Sequence, residues 1–131
     1  NPYVKPENMV HYDKDESTIK MDGREIFKFA VNVMSQSIDE LLKNSGLKLE
    51  DIDYIIPHQA NTRIIEFTAK KLGIPQEKFY VNIDRFGNTS AASIAIALDE
   101  MNEKEMLKKG DRIILVGFGG GLTYGGIIIE W

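Results

Sequence analysis

Apolar residues recur at helical spacing through Ile26, Ala30, Val33, Met34, Ile38, Leu41 and Leu42, while Lys28, Asn32, Gln36, Asp39 and Lys43 make the opposite face polar. That pattern predicts a long helix with one buried stripe. Asp22, with Glu25 three residues on, forms a capping-box arrangement at its start, and Gly46 supplies a left-handed stop. Tyr54-Ile55-Ile56 reads as a short buried strand stopped by Pro57. A second helix follows over 61–72, capped by Asn61, lined inside by Ile64, Ile65, Thr68 and Leu72, and ended by Gly73. Residues 79–83 read as another strand and 84–88 as a loop. Thr89 or Ser90 then caps a third helix running to about Glu103. Residues 112–118 and 124–130 are two strands joined by a glycine-rich bend, most simply a hairpin.

This alternation implies an α/β fold: a mostly parallel mixed sheet with helices on its faces and a C-terminal antiparallel hairpin. Before it, 18–21 reads as a short strand. Residues 1–18, with Pro2, Pro6 and the run from Asp13 to Ser17, read as an extended surface segment, leaving 19–131 as the folded domain. The third helix is unusual. Ala91, Ala92, Ile94, Ala95, Ile96, Ala97 and Leu98 leave almost no polar face in its first turns, so both of its sides are expected to be covered. One small sheet covers only one side. The other calls for a second copy, a partner chain or a missing half.

Composition narrows the function. The 131 residues suit a single domain, and 43% apolar content is enough for a core. Sixteen Lys and Arg against 20 Asp and Glu give a net charge of −4, which argues against a nucleic-acid binder or a polybasic membrane-surface protein. No apolar run is long enough to span a bilayer. The chain has no cysteine and only two histidines, His11 and His58, which removes disulfides and thiolate chemistry and speaks against a zinc site. It begins at Asn1 without an apolar leader, so a cytoplasmic fragment or processed product is expected.

Three stretches carry candidate chemistry, all after strands, where α/β folds place their sites. Pro57-His58-Gln59-Ala60-Asn61 puts an imidazole between a buried strand and a helix cap. In Phe86-Gly87-Asn88-Thr89-Ser90-Ala91-Ala92-Ser93, Gly87 permits a turn that aims Asn88 outward, although asparagine more often simply turns or caps the chain. Gly117-Phe118-Gly119-Gly120-Gly121-Leu122-Thr123-Tyr124-Gly125-Gly126 is rich in glycine. It fails the dinucleotide fingerprint, because Leu122 takes the third glycine position and a strand follows instead of a helix. Its glycines instead allow close approach of backbone N–H donors to a ligand. An imidazole, a carboxamide and a backbone amide are all donors, without a base–nucleophile pair or a carboxylate pair. Such a set suits holding a developing oxyanion or enolate.

The strings 23–31, 56–61, 87–93 and 117–125 together resemble, in order, the C-terminal half of β-ketoacyl-acyl carrier protein synthase III. This resemblance implies a thiolase-like half-domain, one of two similar α/β halves in a normally homodimeric enzyme. It implies decarboxylative condensation of acetyl-CoA with malonyl-acyl carrier protein, without a metal or other cofactor. His58 and Asn88 match the catalytic histidine and asparagine that hold the malonyl thioester oxygen. Gly120 matches an oxyanion-hole glycine. Gly23, Phe27, Ala60, Asn61 and Phe118 match the substrate tunnel and the site lining. Lys28, Gln59, Arg63, Lys70 and Lys71 match carrier-protein docking positions, although spacing alone favours a solvated helix face with an internal Glu66–Lys70 pair. The family's nucleophilic cysteine belongs to the N-terminal half, which is the expected partner, so this chain alone is expected to be inactive. Two rivals stand beside this reading: a related enzyme of specialised metabolism, and a non-enzymatic module that binds carrier protein or associates with itself.

Overall fold

The computed structural model describes residues 10–12 and 19–131. A two-stranded antiparallel ribbon, β1 (Val10–Tyr12) and β2 (Ile19–Met21), leads into the domain. The strand expected at 18–21 is therefore present. Val10–Tyr12 is a correction: this part of the 1–18 segment is paired as a strand, with Val10 opposite Met21. The rest of that segment lies outside the described residues.

The domain proper is α1 (Gly23–Ser45), β3 (Tyr54–Pro57), α2 (Thr62–Leu72), α3 (Ile83–Phe86), α4 (Ala92–Glu103), β4 (Arg112–Gly119) and β5 (Thr123–Glu130). Both long helices begin and end where their caps dictate. Asp22 Oδ1 accepts from the N–H groups of Arg24 and Glu25, and Gly46 closes α1 at φ 71°. Asn61 Oδ1 accepts from Arg63 N–H, and Gly73 closes α2 at φ 65°.

The three strands form a mixed sheet in the order β3-β4-β5, with β3 parallel and β5 antiparallel to β4. Alternation along β4 sorts its side chains between two layers. Ile114 and Val116 face α1 and α2, together with Ile55, Met34, Ile38 and Ile65. Ile113 faces α4, together with Ile56, Ala97 and Met101. The result is a helix–sheet–helix sandwich. Burial on α1 is wider than the single expected stripe: Phe29, Val31, Ser35 and Ser37 are buried as well, and Phe29 packs with Val33 beneath Phe118 and Leu122 at the glycine-rich bend.

Two expectations change. Residues 79–83 are not a strand: one parallel bridge joins Phe79 to Ile55, and the chain then turns into the short α3 where a loop was expected. The cause is Asn82, whose N–H donates to Gln59 Oε1 and whose Nδ2 donates to Glu100 Oε2, which pulls the backbone off the sheet. Neither Thr89 nor Ser90 caps α4. Ala91 holds that position without a side-chain bond, and the first turn is tied by backbone bonds from Ala92 and Ser93 to the carbonyls of Thr89 and Ser90.

On α4, Ser93, Ala97 and Met101 are buried, but Ala91, Ala92 and Ala95 on its other side are exposed. The helix is thus covered on one side only, and its apolar outer side is left bare.

Candidate functional site

His58 is placed by the sheet. Its N–H donates to Val116 O at 2.8 Å, continuing the β3–β4 ladder one residue beyond Pro57. The half-buried ring stands edge-on to Phe118, with centroids 5.3 Å apart, and its Nδ1 lies 2.6 Å from Ser93 Oγ. Burial pushes the imidazole pKa down, so at neutral pH the ring is uncharged and carries one N–H.

Asn88 is placed by the turn that follows α3. Gly87 takes φ 68°, and Asn88 Oδ1 then accepts from Ser90 N–H at 3.0 Å. Ser90 itself sits at φ 53°, a conformation unfavourable for a residue with a side chain and one that concentrates at functional sites. At the third segment, Gly121 takes φ 74° inside a tight turn over Gly120–Leu122. Gly120 is the first residue of that turn, so its N–H has no partner within it.

These three segments line one cavity of about 840 Å³, which His58, Asn88, Phe118 and Gly120 share. Among the described residues, no Asp, Glu, Lys or Arg side chain lines it. Among the described residues, no three His, Asp or Glu side chains gather as a metal-binding set.

The other sequence-predicted positions lie elsewhere. Of the tunnel set only Phe118 reaches this cavity. Gly23 opens α1, Asn61 caps α2, and Phe27 packs edge-on against Phe67 with centroids 5.4 Å apart. Ala60 packs against the core beside α2. Among the docking positions, Arg63 and Lys70 are exposed on α2. No ion pair joins Glu66 to Lys70 among the described residues. Lys28 pairs with Glu25 at 2.7 Å, and Lys71 Nζ donates to Asn32 Oδ1 at 2.8 Å.

Gln59 is a correction: it is 1% exposed and cannot meet a partner. Its Nε2 donates to the carbonyls of Pro57 and Tyr80, and its Oε1 accepts from Asn82 N–H. It clamps the end of β3 to the 80–82 segment and thereby holds its neighbour His58. Sequence reasoning also passed over Ser93 as a site residue. It closes one of the four motif strings, but nothing local shows that it meets a histidine 35 positions away.

The model of a family described as 3-oxoacyl-[acyl-carrier-protein (ACP)] synthase III C terminal matches residues 42–131. The chain belongs to this family. A beta-ketoacyl-[acyl-carrier-protein] synthase III of Clostridium novyi is 60% identical over the whole chain, which spans 39% of that relative's length. The 3-oxoacyl-[acyl-carrier-protein] synthase III structure from Aquifex aeolicus superposes with a TM-score of 0.88 at 47% identity, covering 95% of this chain and 40% of that one. The corresponding Thermus thermophilus enzyme gives 0.86 at 41% identity, covering 93% and 41%. The half-domain seen here is thus the thiolase-like C-terminal unit of synthase III.

Proposed function

We propose that this chain supplies the decarboxylation half of a condensing site, in an enzyme that starts type II fatty-acid synthesis in the bacterial cytoplasm by joining acetyl-CoA to malonyl-acyl carrier protein. The observation that carries this reading is the cavity shared by His58 and Asn88, two side-chain donors, with no charged side chain among the described residues that line it.

In the proposed reaction, the bond between the malonyl carboxylate and its α-carbon breaks. Carbon dioxide leaves, and the electron pair spreads onto the thioester oxygen as an enolate. His58 and Asn88 donate hydrogen bonds to that oxygen, each worth about 3 kcal/mol of barrier for a well-placed donor. The enolate carbon then attacks an acetyl group held as a thioester on a cysteine, which the N-terminal half supplies. The resulting oxyanion is held by the Gly120 N–H with a donor from that half. Collapse expels the cysteine thiolate and yields acetoacetyl-acyl carrier protein. None of these steps asks this chain for a metal or other cofactor, or for a carboxylate base. The phosphopantetheine arm would reach the site past Gly23, Phe27, Ala60 and Asn61, and Arg63 and Lys70 would draw the acidic carrier protein to α2.

The N-terminal half is the partner that best covers the bare side of α4, and a second copy completes the homodimer. The test is reconstitution: the chain mixed with a matching cysteine-bearing half restores condensation from acetyl-CoA and malonyl-acyl carrier protein. A stable complex that condenses nothing would overturn the proposal.

A further inference from the structure

We propose that Ser93 is a positioning residue that fixes the tautomer of His58, donating its hydroxyl proton to Nδ1 so that the ring proton resides on Nε2. The enolate-holding consequence rests on the function proposed above; the proton assignment stands by itself.

The hydrogen-bond inventory forces the direction. Ser93 Oγ accepts from the backbone N–H of Gln59 at 3.2 Å, and it lies 2.6 Å from His58 Nδ1. A hydroxyl has one proton to give. Among the described residues, its only side-chain or backbone acceptor within reach is that ring nitrogen. Ser93 is 2% exposed, so a hydroxyl proton turned elsewhere would be buried without an acceptor, which is strongly disfavoured. If the ring donated to Ser93 instead, the proton would leave Nε2 and His58 would present a lone pair to the cavity. A lone pair repels an enolate oxygen. The hydroxyl therefore decides whether the imidazole is a donor or an acceptor toward its ligand.

The device is anchored at both ends. Ser93 sits on the buried face of α4 with Ala97 and Met101. Gln59, whose N–H occupies one Ser93 lone pair, is locked by its side-chain bonds to Pro57, Tyr80 and Asn82. Three elements, β3, the 80–82 segment and α4, thus converge on the rear of one imidazole. Burial keeps that imidazole neutral at working pH, so the position of its single proton matters.

The chain has only two histidines, so nitrogen-15 histidine labelling gives a readable spectrum. Above the imidazole titration range, His58 is expected to show a protonated Nε2 and an unprotonated Nδ1 shifted by an accepted hydrogen bond. Ser93→Ala should move the Nδ1 resonance toward the unbonded position and allow the other tautomer to populate. A protonated Nδ1 in the unmodified chain overturns the proposal by itself, whatever the variant does. So does an Nδ1 resonance that ignores Ser93→Ala. In the reconstituted enzyme, Ser93→Ala should slow malonyl decarboxylation roughly five- to tenfold, the size of one orienting hydrogen bond, and leave cysteine acylation unchanged. Ser93→Thr, which keeps the hydroxyl, should restore the Nδ1 shift. Correct spectra with decarboxylation insensitive to both His58→Ala and Ser93→Ala would instead sink the proposed function and leave the tautomer assignment standing.

Discussion

Asn88 turns its carboxamide oxygen onto the N–H of Ser90 at 3.0 Å, which leaves its two Nδ2 protons as the only donors it can offer the cavity. The orientation is unambiguous, because a backbone N–H must meet the oxygen and not the nitrogen. One side chain therefore both turns the loop and provides the donor, and the two roles can be separated. Asn88→Asp keeps an oxygen for Ser90 and loses the donor. In the reconstituted enzyme, this variant should decarboxylate malonyl thioester about 10²- to 10³-fold more slowly, with its thermal stability close to that of the parent. Asn88→Ala should lose both rate and stability, while cysteine acylation survives in each. Full decarboxylation by Asn88→Asp, measured as carbon dioxide release, would remove Asn88 from the donor set.

How much of this was legible in the sequence depends on the range of the forces involved. Asp22, Gly46, Asn61 and Gly73 act within a turn of their own helix, and both long helices end where those residues predict. The candidate donors His58, Asn88 and Gly120 lie in short motifs, so the set was visible; that they share a cavity required the fold. What escaped was set by distant partners. Phe79 to Ile83 has strand composition, yet Asn82 is held by Gln59 and Glu100, 23 and 18 positions away. Gln59 reads as a surface residue beside a helix cap, and its burial is explained by the carbonyl of Tyr80 and the N–H of Asn82, 21 and 23 positions on.

Glu100 fastens α3 to α4 on either side of the Asn88 loop. Arg85 Nε donates to its Oε1 at 3.1 Å and Nη2 to its Oε2 at 3.0 Å, with Asn82 and Lys104 also bonded. The Arg85 guanidinium first, and then Lys104 and Asn82, hold this carboxyl well below the usual carboxylate range. A pKa depressed on folding means the unfolded chain binds the proton more readily. The stabilisation is therefore complete above the unfolded value of about 4.3 and is lost as pH falls toward the lower folded value. Urea unfolding should show the parent losing stability between about pH 5 and pH 3 more steeply than Glu100→Gln. Parallel pH profiles would mean the network contributes nothing.

Gly126 marks a close approach of sheet and helix. A Cβ there would lie 2.9 Å from the carbonyl oxygen of Leu115 and 2.9 Å from Leu41 Cδ1, and a backbone carbonyl in a paired strand cannot move aside cheaply. Gly126→Ala should cost about 1–3 kcal/mol in chemical denaturation, the usual penalty of overpacking. Gly119→Ala, with open space at its Cβ position and an extended φ of 179°, should cost less. Equal effects at the two positions would refute the crowding account.

Arg63 and Lys70 stand seven positions apart on the exposed side of α2, in a chain whose net charge is −4. Phe67, between them, is 50% exposed, so the same helix offers an apolar contact with a basic residue on either side of it in sequence. If an acidic carrier protein docks here, Arg63→Glu should weaken its binding to the reconstituted enzyme several-fold, more at low salt than at high salt. The measurement is titration calorimetry at two ionic strengths. Affinity that is unchanged at low salt would move the docking surface elsewhere.

The bare side of α4 continues onto β5, whose edge away from β4 pairs with no strand among the described residues. On β5, Tyr124 is 44% and Ile127 54% exposed, and Ala92 and Ala95 of α4 lie in the open as well. An apolar strand with a free edge pairs readily with another chain, and charged side chains at such edges are what ordinarily prevent it. Alone, the chain should self-associate, with a sedimentation coefficient that rises with concentration. Ile127→Lys should shift it toward monomer while leaving the far-ultraviolet spectrum intact. If the N-terminal half docks on the same surface, it should do so without any substitution. A chain that sediments as a monomer at every concentration, before and after Ile127→Lys, would show that this face needs no cover.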